Sequence, residues 1–283
     1  MKCHEAIVAA MLVLWSVTGS GQTAPQPGAG VTSASSFQWP NGRKAAVSLS
    51  FDDARPSQVD IGLPLLEKAG VKVTFFVIPS AVEQRLQGWK RAVADGDEIG
   101  SHSLSHPCAG RYRFSKDDVN ALENYDLPRM AKQLDEANVE IEKLLGVKAK
   151  TFAYPCGDEF LGRGRNAKSY VPLVAERFVV GRGADLDRAA NYPASFDFAK
   201  AEGAPFDGLT FEQMKSLVDA AVKNGTWLIF AGHEIGSGAV HQTTDTEALK
   251  QLCAYLKDPA NGVWLGTVDE IGSYIRSKRQ GEE

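Results

Sequence analysis

Two acidic residues stand side by side where an apolar run ends: "LSFDDA", residues 49–54, closes the stretch 45–51 with Asp52 and Asp53. Such a run reads as a buried strand, and two unpaired carboxylates at its tip would each cost several kcal/mol. "SHSLSH", residues 101–106, supplies two imidazoles, His102 and His106, four residues apart. On one helical turn, or an equally tight loop, that offset points both rings the same way and suits a divalent cation. Two surface histidines would share the spacing. The chain has five histidines, one of them in the N-terminal segment treated below, and two of the other four fall in this hexapeptide. Two neutral nitrogens and one carboxylate make a facial ligand set with open positions, and Asp53 is the natural third ligand. Asp52 is then free to act as a base. A cation so held lowers the pKa of water from about 15.7 toward about 7, and the adjacent carboxylate takes the proton as the water attacks a carbonyl. His233, ending "TWLIFAGH", is the candidate acid for the leaving group; a histidine satisfied at a sheet edge is the alternative. His241 lies in a polar loop and reads as exposed.

These groups can converge only if parallel strands present them on one face. Strand-like runs occupy 45–51, 72–78, 97–101, 149–154, 177–181, 226–231 and 263–266. Helical patterns fall between them, at 129–145 with Gly146 as a stop and at 211–223 and 268–278 behind capping-box spacings. Regular β-α alternation argues for a parallel sheet, open or closed into a barrel. "FDDA", "SHSLSH", "FAYPCG" (152–157) and "FAGHEIG" (230–236) all follow such runs, where α/β sheets place their sites. The stretch 183–209 shows no clear order and reads as a substrate-facing loop.

Composition is ordinary for a globular α/β chain: 283 residues, 43% hydrophobic and 23% charged. A net charge of −4 gives no basic field for nucleic acid or an anionic membrane. Residues 1–21 read as an export signal, with Lys2 ahead of the apolar "AIVAAMLVLW" and the small residues "TGSG". The apolar core is too short to span a bilayer comfortably. Residues 22–36, rich in Pro, Gly, Ser and Thr, read as a flexible linker, and 37–280 as one catalytic domain. A periplasmic or secreted protein with no membrane span in its mature form is expected. Loss of Cys3 with the signal leaves Cys108, Cys156 and Cys253, enough for one disulfide and one free thiol.

Taken together, these motifs resemble those of the polysaccharide deacetylases, the NodB-homology carbohydrate esterases of family four. "SFDDA" is similar to the family's first motif, "HSLSH" to its second, "FAYPCG" to its third and "LIFAGH" to its fifth; the resemblance runs from about 39 to 278. It implies a distorted (β/α) barrel of about seven parallel strands. It also implies Asp52 as catalytic base, Asp53, His102 and His106 as metal ligands, and His233 as general acid. The Cys156 N–H would help hold the oxyanion. Zinc is the default cation, with cobalt, nickel or iron compatible with the same ligands. Three departures stand out. Ala54 replaces a glycine, a mild change if its φ is negative. The third-motif arginine that orients the base falls at Ala153; Arg163, Arg165 and Arg182 are candidates to replace it, solvated loop charges being the alternative. The fourth motif is unrecognisable, leaving Asp185, Asp187, Asp197 and Asp207 as candidates to position the acid.

If the loops of the second and third motifs meet at the site, Cys108 and Cys156 come within disulfide reach, and a Cys108–Cys156 bridge is expected. A thiol ligand to the metal is the rival role; Cys253 reads as a buried thiol. The expected activity is metal-dependent removal of acetyl groups from a carbohydrate, either an N-acetylated glucosamine polymer or an acetylated xylan. Two other readings remain: a hydrolase of C–N bonds in small amides, and a catalytically silent carbohydrate binder. Trp89, Tyr112, Tyr192 and Phe206 are loosely placed candidates for sugar stacking, with ordinary packing the favoured reading of each.

Overall fold

In the computed structural model the described residues are 37–112, 119–184, 190–238 and 241–280. The signal and linker read at 1–36, and the candidates Asp185 and Asp187, lie outside them. Eight parallel strands make the main sheet: β1 (Ala45–Asp52), β2 (Thr74–Val77), β3 (Glu98–Ser101), β4 (Thr151–Ala153), β5 (Val180–Arg182), β6 (Gly203–Pro205), β7 (Trp227–Gly232) and β8 (Val263–Leu265). Their order is β5-β4-β3-β2-β1-β7-β6. The ends of that path meet where Arg182 bridges Ala201: Gly183 N–H donates to the Ala201 carbonyl and Ala201 N–H to the Gly181 carbonyl, each at 2.8 Å. The result is a nearly closed barrel of seven strands. β8 stands outside the ring order and pairs with the first half of β1, below the point where β2 joins its last three residues.

β1 is buried along its whole length, so both of its faces must be covered. Val47, Leu49 and Phe51 alternate outward into the core formed with the surrounding helices. Ala46 packs instead with Phe76, Ala153, Val180, Trp227 and Ile229, and against Val268, Ile271 and Ile275 of the last helix. By strand alternation Ser48, Ser50 and Asp52 share that inward face. Ser48 Oγ accepts the Trp227 indole N–H at 3.1 Å, and Ser50 Oγ donates to the Phe230 carbonyl at 2.6 Å. The polar residues of β1 thus climb the barrel interior, and Asp52 is the last of them, at the mouth.

The helix expected at 129–145 spans Leu127–Leu145, with Asp126 accepting the Arg129 N–H as N-cap and Gly146 in the left-handed region as C-cap. The helix expected at 211–223 spans Phe211–Asn224 behind a complete capping box of Thr210 and Gln213. The stretch 183–209 is not one loop. Its described part contains the 3-10 turn Phe198–Lys200 and the strand β6. Gly203-Ala204-Pro205 is too short, and too rich in strand breakers, to carry a strand signal. The pairing partner β7 makes it a strand.

At the start of β3, Asp97 is buried and accepts the Val73 N–H at 3.0 Å. Burial pushes its carboxyl up to about 6. The folded state therefore holds this proton more tightly than the unfolded chain, and stability falls as pH rises from the ordinary carboxylate range to about 6. Asp97→Asn should melt higher, relative to the parent protein, at pH 7 than at pH 4; a melting difference that does not change with pH would contradict this.

Candidate active site

The C-terminal ends of β1, β3, β4, β5, β6 and β7 open on a cleft of about 510 Å³ lined by Asp52, Asp53, His102, His106, Arg182 and His233, with Cys156 on its wall. The two acids at the tip of β1 have different partners. Asp52 is buried, and its Oδ1 receives a hydrogen bond from Arg182 Nη2. Arg182 is 1% exposed, so its charge has no solvent to answer it. Its Nη1 donates to the Gly183 carbonyl at 3.1 Å, and the guanidinium lies over the Phe76 ring at 5.0 Å. Gly203 makes room for it: a Cβ there would sit 2.5 Å from Arg182 Cδ. Burial would raise the Asp52 carboxyl, but Arg182 above all outweighs it and holds the group below its usual range.

Of the three arginines considered from sequence, Arg182 reaches Asp52. Arg163 and Arg165 do not; they sit exposed around the 3-10 turn Gly164–Asn166. A short antiparallel ribbon, Phe160–Leu161 with Lys168–Ser169, turns that segment away from the base.

Asp53 turns out of the strand with φ +76°. Its Oδ2 accepts from Arg55 Nε at 3.0 Å and Nη2 at 2.9 Å. Its Oδ1 is buried with no hydrogen-bond partner among the described residues, 3.5 Å from His102 Nε2 and 3.3 Å from His106 Nε2. His102 Nδ1 lies 2.9 Å from the Ala153 carbonyl, which can only accept. Its proton is therefore on Nδ1, and the Nε2 lone pair faces Asp53. His106 is held neutral, pushed down to about 4 by burial above all. Its Nδ1 is 3.5 Å from Cys108 Sγ, which as a disulfide sulfur carries no proton, so that contact also leaves Nε2 free. A carboxylate oxygen and two imidazole lone pairs aimed at one point repel one another unless a cation lies between them, and all three donor atoms fall within 4.8 Å. These residues fit a divalent metal.

The two histidines are not on a helical turn. Ser103 (φ +66°) and His106 (φ +52°) fold the segment into a tight loop, fastened where Ser103 Oγ accepts the His106 N–H and Gln133 Oε1 accepts from Ser105. Ala54 has φ +55°, not the negative value that would make its replacement of glycine mild. Among the described residues seven non-glycine positions have positive φ, and six of them (Asp53, Ala54, Ser103, His106, Cys156 and Gln242) lie in the loops of this site. Strain concentrated in that way is characteristic of functional loops.

Cys108 and Cys156 form a disulfide with Cα atoms 5.8 Å apart, joining the histidine loop to the loop after β4. The sulfurs next to His106 are thereby consumed and are not metal ligands. Cys253 is a buried thiol, pushed up to about 12 by burial.

Across the cleft, His233 Nδ1 lies 2.6 Å from Asp207 Oδ2, while Asp207 Oδ1 accepts the His233 backbone N–H and the Thr244 hydroxyl. Asp207, just beyond β6, is thus the acid that orients His233; Asp197 instead caps Phe198–Lys200. Burial opposes the charged imidazolium, but Asp207 and then Asp52 reverse this and raise His233 above the ordinary histidine value.

Sequence reasoning missed Arg55, Gln242 and Glu234, the last of which accepts from Arg55 Nη1 at 3.3 Å. Gln242 Oε1 accepts from Arg55 Nη2 at 2.9 Å and its Nε2 lies 3.4 Å from His233 Nε2, linking ligand carboxylate to imidazole. A cation two positions after an acid pair was readable at Arg55; Gln242, 187 residues away from it, had no local signal. His241 lines the cleft but is exposed. Of the four aromatics considered, Trp89 and Phe206 are fully buried core, Tyr192 is 53% exposed and lies off the cleft lining, and Tyr112 lines the cleft and donates to the Cys156 carbonyl at 3.1 Å.

A barrel of parallel strands carries a His-His-Asp set fit for a cation beside an arginine-held carboxylate, and comparison with known proteins gives this arrangement a family. The sequence profile of the polysaccharide deacetylases matches residues 40–170. The YlxY protein of Bacillus subtilis (strain 168) is 30% identical over 210 residues, 74% of this chain and 51% of its own length. The peptidoglycan-N-acetylglucosamine deacetylase PgdA of Listeria monocytogenes is 44% identical over 62 residues, 22% of this chain and 13% of its own. The chain thus spans about half the length of YlxY and a small part of PgdA. Among solved structures, a Mycobacterium smegmatis protein provisionally assigned as a polysaccharide deacetylase shares the fold, with a TM-score of 0.63 at 16% identity over 87% of this chain and 95% of its own. Residues 40–170 belong to the polysaccharide deacetylase family.

Two outcomes follow from this geometry. Arg182→Met strands the Asp52 charge in the barrel mouth and should cost about 3–5 kcal/mol in urea unfolding; a loss below about 1 kcal/mol would show that the pair is not needed for stability. Ala54→Gly relieves about 1–2 kcal/mol of left-handed strain, against about 0.8 kcal/mol for the buried methyl and about 0.5–1 kcal/mol of chain entropy. It should therefore leave the melting temperature nearly unchanged, where a clear destabilisation would contradict the φ assignment.

Proposed function

We propose that the protein is a metal-dependent hydrolase that removes acetyl groups from an extracellular glycan, an N-acetylated glucosamine polymer or an acetylated xylan. The observation that carries this reading is the unpartnered Asp53 Oδ1 between two imidazole lone pairs, with the Arg182-held Asp52 beside it. The short match to PgdA favours the N-acetylated substrate. Asp53, His102 and His106 would hold the cation, zinc by default, with cobalt, nickel or iron suited to the same donors. When bound, it supplies a Lewis acid and a water of lowered pKa.

The chain's own groups divide the remaining work. Asp52, kept ionised by Arg182, accepts the proton of the attacking water. Arg182 also fixes the carboxylate in place, since one of its oxygens is committed to the guanidinium. The Cys156 N–H, on a loop tied back by the disulfide, donates to the oxygen that becomes negative as the carbonyl turns tetrahedral. His233, raised above the ordinary histidine range by Asp207, is placed to give a proton to the leaving nitrogen or oxygen. The same reading includes export through the segment 1–21, and the Cys108–Cys156 disulfide is consistent with an oxidising compartment.

Acetate release from chitooligosaccharides, peptidoglycan and acetylxylan should stop with chelator and return when a divalent cation is restored. Asp52→Asn should lower turnover about 10²- to 10⁴-fold. Tight glycan binding with no acetate from any of the three substrates would overturn the proposal. Asp207→Asn removes the group that raises His233, so the alkaline limb of the rate profile should move to lower pH; an unmoved limb would remove His233 from the acid role.

A further inference from the structure

The reaction cleft does not end at the cation ligands. Gly157 belongs both to its wall and to a second cavity of about 290 Å³, floored by Asp158 and Glu159 and edged by Phe160. That cavity in turn shares Glu123 and Gly162 with a third of about 630 Å³, larger than the cleft itself. The three hollows run in sequence from the cation ligands across the loop after β4 to the ribbon 160–169. Their walls are braced. The Glu123 carboxylate accepts the Gly110 N–H at 3.0 and 2.8 Å, and Gly162 N–H donates to the Leu122 carbonyl at 2.9 Å. Arg111 pairs with the buried Asp158 in the wall of the second cavity.

Two features of this path say what it would hold. Phe160 is 61% exposed, and among the described large hydrophobics so exposed it alone edges one of these hollows. An aromatic face left in solvent beside polar walls suits a ligand with an apolar flat face and a polar rim, which is the character of a sugar ring. The third hollow offers Glu123 and Asp126 against Arg163 and Lys168, two charges of each sign, so it has hydrogen-bonding capacity without preference for an ionic ligand.

We propose that the glycan extends from the cleft over Gly157 to a distal subsite on the ribbon 160–169. There one sugar ring stacks on Phe160, and the next meets Glu123, Asp126, Arg163 and Lys168. The subsite rests on the glycan reading of the cleft, and it makes the protein selective for long chains over short ones. Arg163, which does not reach the base, thereby has a partner of a different kind.

The test compares the parent protein with Phe160→Ala and Phe160→Tyr, each checked by thermal melting, on chitooligosaccharides of increasing length. Acetate release and calorimetric binding are measured separately. For the parent protein kcat/KM and affinity rise with length. Phe160→Ala loses about tenfold on the longest chains, equivalent to about 1.4 kcal/mol, with a loss that shrinks as the chain shortens, and Phe160→Tyr restores the length dependence. Equal losses on short and long chains, or none, overturn the subsite. Absence of acetate from every glycan would fail the hydrolase reading alone, because length-dependent binding that Phe160→Ala abolishes would still establish the subsite.

Discussion

Two adjacent carboxylates at the tip of a buried strand are tolerable only if each is neutralised differently, and the barrel is arranged to do that. Asp52 keeps the inward direction that strand alternation gives it and meets Arg182 from β5, on the far side of the ring. Asp53 is turned out by a left-handed backbone, gives one oxygen to Arg55 and leaves the other facing two histidines. Were the two acids equivalent, they would compete for one counter-charge. Their separation by backbone conformation gives one a permanent cationic partner and the other an opening for a metal.

The same separation explains the strained loops. Placing Nε2 of both His102 and His106 near a single oxygen requires the chain to turn back within four residues, which Ser103 and His106 accomplish with positive φ. The Cys108–Cys156 disulfide and the Gln133 side chain fasten that turn to its surroundings. Asp207 does a comparable service for His233, using one oxygen on the ring and the other on the backbone N–H and Thr244. A Cβ at Gly232 would come within 3.0 Å of Asp207 Oδ1, so the glycine before His233 is part of that fit.

Much of this was readable in the sequence because the signals were local. The strands, the capped helices and the acid pair announce themselves over a few residues, and the His-x-x-x-His segment does so at a strand end. What escaped depended on distant partners. β6 is a strand because β7 pairs with it, and its three residues carry no pattern of their own. Arg182 and Asp207 were each one among several equivalent candidates until the barrel brought β5 and the segment after β6 beside β1 and β7. Gln242 was invisible for the same reason. Arg55 was the readable omission, a basic residue two places from the acid it holds.

The short bridge at Ala201 joins the two ends of the strand path with a pair of main-chain hydrogen bonds that flank Arg182. The seam of the barrel and the counterion of Asp52 therefore coincide. If the seam unzips, Arg182 loses the main-chain bonds on either side of it and the hold on Asp52 slackens. Loosening at this one seam would therefore disturb the position of the carboxylate even where the rest of the fold stays intact.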